Sequence, residues 1–284
     1  VSGSLYLRDN IDFHLAEGAM LVASTNRLVY NAWDVCPQNT TNAVEASWGA
    51  HLILCIGRKN VTVRGPGTIC GNSPAFTVSS DGRALGQREI AWRVSQMLYF
   101  VDSENIRLKN LDLVNASYWS CFLHGCRNVK VCGLDVRTDR VRHTMSGDGL
   151  DIDCCRNVII EGCRLNCPWD DAIVLKASYA LGKFKDTQDV IISDCIITGY
   201  KEGTMLNNTN IPPHDKPGYS VSPDTRTKAP LIYYGTGRIK FGTESSGGFR
   251  NIAVTNCTIQ DAGGILLETV DGGILEDVVF DNIT

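Results

Sequence analysis

Three aspartates carry the sharpest chemical suggestion in the sequence. Asp148 opens the stretch Asp148-Gly-Leu-Asp-Ile-Asp153, and Asp170 immediately precedes Asp171-Ala-Ile-Val-Leu-Lys176. The two stretches superpose, with Leu150 and Ile152 taking the places of Ile173 and Leu175 as inward positions of a strand. Asp148 and Asp171 are then 23 residues apart, and Asp148 and Asp170 are 22 apart. If the chain winds with that period, the three carboxylates meet, because neighbouring parallel strands lie about 4.8 Å apart. Crowded carboxylates cannot all ionise freely, so at least one pKa rises. An acid that keeps its proton beside a base that has lost one is what cleavage of a glycosidic bond needs. Two other readings stay open on residue type alone. Aspartate is common at turns between strands, and clustered carboxylates suit a hard cation such as calcium.

Other polar residues fall on the same strand template. Asp151 and Asp153 project outward from it, and Asp153 should face Lys176 on the next coil as a surface ion pair of little energetic weight. Trp169 and Trp119 flank the carboxylates, where Trp169 could wall a groove or either ring could simply fill a core. His143, five residues before Asp148, could edge the groove, and His124 ends the preceding strand; both also read as turn or surface residues. Arg238 and Lys240 lie on a later strand of the same template, beside Glu244. They could grip an anionic group or form a solvated basic pair.

The elements that would position these groups follow from an internal repeat. An Asn or Asp followed by a β-branched residue recurs at Asn60, Asn105, Asn128, Asn157, Asp189, Asn251 and Asp277, with gaps of 45, 23, 29, 32, 62 and 26 residues. Counting from each marker gives apolar columns. One step on stand Val61, Ile106, Val129, Val158, Val190, Ile252 and Val278; three steps on, Val63, Leu108, Val131, Ile160, Ile192, Val254 and Phe280. Six and eight steps on, the columns continue through Leu111, Leu134, Cys163, Cys195 and Cys257, and through Leu113, Val136, Leu165 and Ile197. Each unit reads as two short alternating strands that cannot bury their own apolar face, so units must stack.

The expectation is an all-β chain wound as a right-handed parallel β-helix over residues 1–284. The hand is taken from the general crossover preference. The two long gaps would hold an unmarked coil or an insertion. Residues Asn31–Gly49, Phe76–Arg93 and Asn207–Pro230 read as long loops of the kind that wall a groove.

Composition narrows the function classes. The net charge of −4 over 284 residues lacks the basic excess expected of a nucleic-acid protein. No apolar run approaches the roughly 18 residues of a membrane span. The twelve cysteines form no paired zinc spacing. Cys163, Cys195 and Cys257 share a column with Leu and Ile, so free, buried thiols are expected. The chain begins and ends inside patterned segments, which reads as a piece of a longer solenoid or a trimmed form of one.

At this point the residues resemble a known family. Ser146-Gly-Asp-Gly-Leu-Asp151 and Trp169-Asp-Asp-Ala-Ile-Val-Leu-Lys176 look like the two carboxylate motifs of glycoside hydrolase family 28, the polygalacturonases and rhamnogalacturonan hydrolases. Gly65-Pro-Gly-Thr-Ile-Cys-Gly71 and Ala16-Glu-Gly-Ala-Met-Leu21 resemble its earlier turns. The resemblance implies a parallel β-helix acting on pectic poly- or oligosaccharides by inversion, with no cofactor. Asp170 would be the general acid, with Asp148 and Asp171 activating water. Asp151, Trp169, Lys176, Arg238, Lys240, Glu244, Glu268 and His143 would line the substrate groove.

Two departures qualify the resemblance. The family's Gly-His-Gly motif has no histidine here: one alignment puts Gly237 at that place, another Tyr200–Glu202. Its later Arg-Ile-Lys aligns with Gly264–Thr269, where Leu266 replaces the Arg and Glu268 the Lys. Arg238-Ile-Lys240 has the right letters one coil too early. Glu268 would repel a uronate, which favours a branched or mixed pectic glycan over plain polygalacturonate. A polysaccharide lyase and a non-catalytic carbohydrate-binding β-helix are the alternatives. The family suggests a place outside the cytoplasm or in the periplasm, whereas the cysteine count also suits a reducing compartment.

Overall fold

A computed structural model describes residues 1–31, 49–82, 85, 89–138, 147–199, 222–223, 230–231 and 236–284. His143, Tyr200–Glu202, most of Asn31–Gly49 and of Asn207–Pro230, and a short part of Phe76–Arg93 lie outside the described residues.

The apolar columns become parallel ladders. Val61, Ile106, Val129, Val158, Val190, Ile252 and Val278 are successive partners, as are Val63, Leu108, Val131, Ile160, Ile192, Val254 and Phe280. A complete coil contributes three strands. The first joins an eight-stranded sheet that carries the three aspartates at its strand starts. The other two join a 14-stranded sheet that folds back on itself through the long strand Phe249–Gln260. The inward side chains of both sheets form one continuous core. Each fully buried Val, Leu or Ile in it contributes roughly 1.5–3 kcal/mol.

The marker residues turn the corner into the second strand. Asn60, Asn105, Asn128, Asn157, Asp189, Asn251 and Asp277 all have φ between 52° and 58°. This left-handed conformation is one that Asn and Asp tolerate better than other residues bearing a side chain. Their amides also bond from coil to coil. Asn105 donates to Asn60 at 2.9 Å, Asn128 to Asn105 at 3.1 Å and Asn157 to Asn128 at 3.1 Å. The Asp189 side chain has no N–H to donate, so it only accepts, from Asn251 at 2.8 Å and Arg156 at 3.0 Å. Asn10, with φ 57°, begins one more coil that the marker reading missed.

The two long gaps hold insertions, not extra coils. Lys59–Arg64 pairs directly with Glu104–Lys109, and Thr187–Ser193 with Phe249–Gln260. The stack therefore stays in register while long connections leave it.

All eleven described cysteines are free thiols, and nine of them are buried. Cys163, Cys195 and Cys257 stack as expected, with Cys195 pushed up to about 12 by its hydrogen bond with Cys163 and by burial, against a lowering hydrogen bond with Cys257. The adjacent Cys154 and Cys155 divide between two roles. Cys154 takes a left-handed corner, φ 55°, and donates to the Ser178 carbonyl at 3.2 Å, while Cys155 points into the core.

Candidate active site

The eight-stranded sheet brings the candidate residues together. Leu150–Asp153 pairs with Ile173–Ala177 in the register Leu150 to Ile173 and Ile152 to Leu175. Ile173 and Leu175 then pair with Ile239 and Phe241 of the strand Ile239–Ser245. Asp148, Asp171 and Gly237 therefore occupy equivalent places at the strand starts of three consecutive coils. Gly149 lets these coils close. A Cβ there would come within 2.5 Å of the Ala172 carbonyl oxygen and 3.1 Å of Cys167 Sγ.

Asp148, Asp170 and Asp171 offer carboxylate oxygens within 4.8 Å of one another. Asp148 and Asp171 are buried and Asp170 is half-buried. The Asp171 backbone N–H donates to Asp148 Oδ1 at 3.0 Å and to Asp170 Oδ1 at 3.1 Å, tying the cluster to one amide. Burial, then the charges of Asp170 and Asp151, push the Asp148 carboxyl well above the usual carboxylate range. Burial, then the charge of Asp171, also raises Asp170, partly offset by a hydrogen bond from Asp148 and by Lys176 and Arg238. The two titrate as a linked pair.

Asp171 differs in having a cation of its own. Arg238 engages it with two guanidinium nitrogens, Nε on Oδ1 and Nη2 on Oδ2, the latter at 3.1 Å. Lys240 Nζ lies 3.9 Å from Asp171 and 3.4 Å from Glu268. Arg238 and Lys240 thus form neither a solvated pair beside Glu244 nor an unengaged grip for substrate; they hold Asp171 and Glu268. Glu244 instead binds Lys176 at 3.0 Å. The three carboxylates could hold a divalent cation, but it would compete with a guanidinium for Asp171.

The expected surface pair of Asp153 and Lys176 does not form. The two are Cα partners, as the template required, but both are buried. Asp153 pairs with His124 Nδ1 at 2.9 Å and accepts from Ser178 Oγ at 2.5 Å and Ser178 N at 2.8 Å. Burial raises its pKa, but His124 and Ser178 outweigh that, so the carboxyl lies below the usual range. His124 is accordingly an interior partner and not a turn or surface residue.

Lys176 lies over the Trp119 ring, 4.4 Å from its centroid, and 3.8 Å from Asp151, which is itself fully buried. Asp151 and Lys176 are therefore buried on the outer face of the site sheet, with Lys176 between Asp151 and Glu244, instead of facing solvent. Trp119 belongs to a buried cluster with Tyr99, Tyr118 and Phe122 on the outer face of the sheet, while Trp169 remains half-buried at the carboxylates.

The His124 link was legible in principle, since His124, Asp153 and Lys176 share one template position on successive strands. Two groups carried no such signal. His51 stacks on Tyr99 at 4.0 Å, and buried Arg93 lies 4.4 Å over Tyr118. Arg93 comes from a segment outside the repeat, and His51 precedes the strand Ile53–Ile56 at the place Trp119 and Asp148 take on later coils, ahead of the first strand on which the template was read.

A parallel β-helix with three carboxylates gathered at one strand edge is a scaffold on which acid–base cleavage of a glycosidic bond is possible. Residues 30–188, more than half of the chain, match the family described as glycosyl hydrolases family 28, and the chain belongs to that family. Asp148, Asp170 and Asp171 fall inside the matched span; Arg238, Lys240 and Glu268 fall beyond it. Among solved structures, the polygalacturonase from Erwinia carotovora ssp. carotovora is similar, with TM-score 0.66 and 16% identity over 100% of this chain and 67% of that one. A hyperthermoactive exopolygalacturonase from Thermotoga maritima matches with TM-score 0.61 and 14% identity, over 98% of this chain and 65% of that one. A family 28 exopolygalacturonase from Yersinia enterocolitica matches with TM-score 0.61 and 15% identity, over 99% of this chain and 58% of that one. At these identities the likeness establishes the fold, and the expected right-handed parallel β-helix is borne out. No curated protein sequence matched significantly. No helix among the described residues is long and apolar enough to cross a membrane.

Proposed function

We propose that the chain hydrolyses glycosidic bonds in pectic poly- or oligosaccharides. The observation that carries this reading is the convergence of Asp148, Asp170 and Asp171 on one strand edge, in a member of a glycoside hydrolase family. Asp170 is the general acid. Its raised pKa keeps a proton available for the leaving glycosidic oxygen, and its half-buried position leaves it in reach of substrate. Asp171, held by Arg238, is the carboxylate that orients and deprotonates water, with Asp148 as its partner. The Asp148–Asp170 link lets a proton be held at either carboxyl while the other accepts.

Single displacement with inversion is the proposed course. Acid and base in such enzymes usually stand about 6.5–9.5 Å apart. The oxygens here come within 4.8 Å, so water must be held above the cluster and not between its members. The anomeric outcome is thus the most informative measurement.

Glu268 and Leu266 stand beside Arg238 and Lys240, whose charges already serve Asp171 and Glu268. A carboxylate at every sugar position would meet Glu268 unfavourably, so a mixed or branched pectic glycan is the proposed substrate. Such a substrate lies outside the cytoplasm, and the burial of most thiols would protect them there, because buried thiols are inert.

The test is product analysis against a panel of pectic oligosaccharides, followed by proton NMR. A reducing product released with inverted anomeric configuration supports the proposal. An unsaturated product would show a lyase, a retained configuration would overturn the single displacement, and no release from any pectic oligosaccharide would overturn the substrate class.

A further inference from the structure

The carboxylates sit at the starts of the site strands. Where those strands end, charge of the other sign collects. A cavity of about 430 Å³ is lined there by Arg58, Lys59, Arg127, Arg156, Lys183 and Lys185, against the carboxylates Asp102 and Glu104. The winding creates it, because the same corner of five successive coils supplies the wall. At least the four-residue strand Leu150–Asp153 separates it from Asp148, a length of roughly 13 Å. A chain whose net charge is −4 has no general excess of cations to explain this hollow.

Internal pairing leaves charge over. Glu104 serves both Arg127, at 2.7 Å, and Lys59, at 3.5 Å. Arg156 turns to Asp189 at 3.0 Å, and Arg58 reaches Asp9 only at 4.0 Å. Lys185 donates to the Gly125 carbonyl at 2.9 Å, which neutralises nothing. Lys183 is exposed and has no hydrogen-bond or ion-pair partner among the described residues. Even with Asp9 and Asp189 counted, six cations face four carboxylates.

The same connection presents apolar surface. Tyr179 is 42% exposed and Phe184 is 74% exposed, with ring centroids 5.0 Å apart. Phe184 lies between the two lysines in sequence. These rings are not part of the cavity wall but lie on the same connection as Lys183 and Lys185, and exposed rings and surplus cations on one connection match one ligand chemistry: a sugar with an apolar ring face and a carboxylate.

We propose that this cavity is a second binding site, separate from the catalytic carboxylates, for the uronic acid units of an acidic oligosaccharide. Carboxylates enter among Lys183, Lys185 and Arg58, and sugar faces lie on Tyr179 and Phe184. The site would hold one stretch of an acidic glycan chain while another reaches the carboxylates. The choice of ligand rests on the pectic reading above, whereas the anion preference does not. Each exposed contact is weak and screened over about 8 Å at physiological salt, so binding must fall steeply as salt rises.

The test uses the full chain carrying Asp170→Asn, which prevents turnover during titration. Calorimetry with a hexameric oligogalacturonide reads stoichiometry and affinity, alongside its carboxyl-reduced neutral counterpart and inorganic phosphate. Arg58→Glu with Lys183→Glu, both at exposed or half-exposed positions, should remove one bound equivalent and leave the circular dichroism unchanged. Phe184→Ala should weaken the same equivalent about threefold. In the otherwise unaltered enzyme, the charge-reversed pair should leave turnover of a short substrate intact. Unchanged stoichiometry in the charge-reversed variant overturns the site. Equal binding of the neutral counterpart, or of phosphate without competition by the uronide, overturns the acidic-sugar ligand. If the catalytic reading alone fails, the equivalent lost on charge reversal persists while pectic turnover is absent. If only the second site fails, turnover persists and no equivalent is lost.

Discussion

Asp148 and Asp153 lie at the two ends of one short strand, and both are buried, at 4% and 1% exposure. Their carboxyls nevertheless move in opposite directions. Asp148 faces Asp170, Asp171 and Asp151, so burial and like charge both raise it. Asp153 faces an imidazole, a hydroxyl and a backbone N–H, and these outweigh the same burial and lower it. Burial makes a carboxylate sensitive to its neighbours, and the neighbours decide the sign. One end of the strand is set up to hold a mobile proton and the other to hold a fixed charge.

The largest expected effect comes from removing the mobile proton. Asp170→Asn should lower turnover by about 10²–10⁴-fold, the usual range for a general acid, with melting temperature preserved. Sugar-release assays beside thermal melts measure both. Full retained activity would end the assignment of Asp170.

Removing the fixed charge should instead damage the fold. Asp153→Asn removes the carboxylate that His124 and Ser178 engage, at a cost of about 1–3 kcal/mol, read from the denaturant midpoint. The pH dependence sharpens the contrast. Asp153 has a depressed folded pKa, so its contribution is present above the unfolded value near 3.9 and is lost as pH falls toward the folded value. Asp148 has a raised folded pKa. Its contribution is complete below about 3.9 and is lost as pH rises through the folded value. Asp148→Asn should therefore be more stable than the parent at neutral pH, while Asp153→Asn is less stable. Two variants shifting in the same direction at pH 7 would break the comparison.

A smaller effect is expected at Arg238. Its charge lowers Asp170, so Arg238→Met should raise the pKa of the acid and move the alkaline limb of the pH–activity profile upward. The loss in kcat/KM should be on the order of tenfold, about 1.4 kcal/mol. An unmoved limb would show that Arg238 acts only in binding. The smallest effect is expected for Glu268→Gln, which should lower KM for a uronate-rich substrate by about two- to threefold with kcat unchanged, since a half-exposed like charge already paired with Lys240 contributes little. A rise in KM would show that Glu268 contacts the substrate productively.

The fold was largely legible in the sequence because a solenoid repeats one local problem. Asn60, Asn105, Asn128 and Asn157 mark corners that demand positive φ, and Val61, Ile106, Val129 and Val158 mark the buried face that follows. The gaps of 45 and 62 residues were ambiguous, because spacing cannot tell a missing marker from a loop that leaves and rejoins the same coil. The three aspartates were legible from the same register. The register set His124 and Lys176 on either side of Asp153 without saying which it would engage, and the partner of Arg238 was not legible, because alternation identifies an outward position without saying what lies over it.

The sequence by itself determined the period, the corners, the inward columns and the gathering of Asp148, Asp170 and Asp171 at one edge. Each follows from backbone conformation and strand alternation, which act over a few residues and repeat. Only the tertiary structure decided that Arg238 engages Asp171, that Lys176 turns over Trp119 toward Glu244, and that Asp153 is sealed against His124. Those outcomes depend on side-chain reach and on burial of the outer face of the site sheet. Both are set by segments far apart in the chain, and no local pattern encodes them.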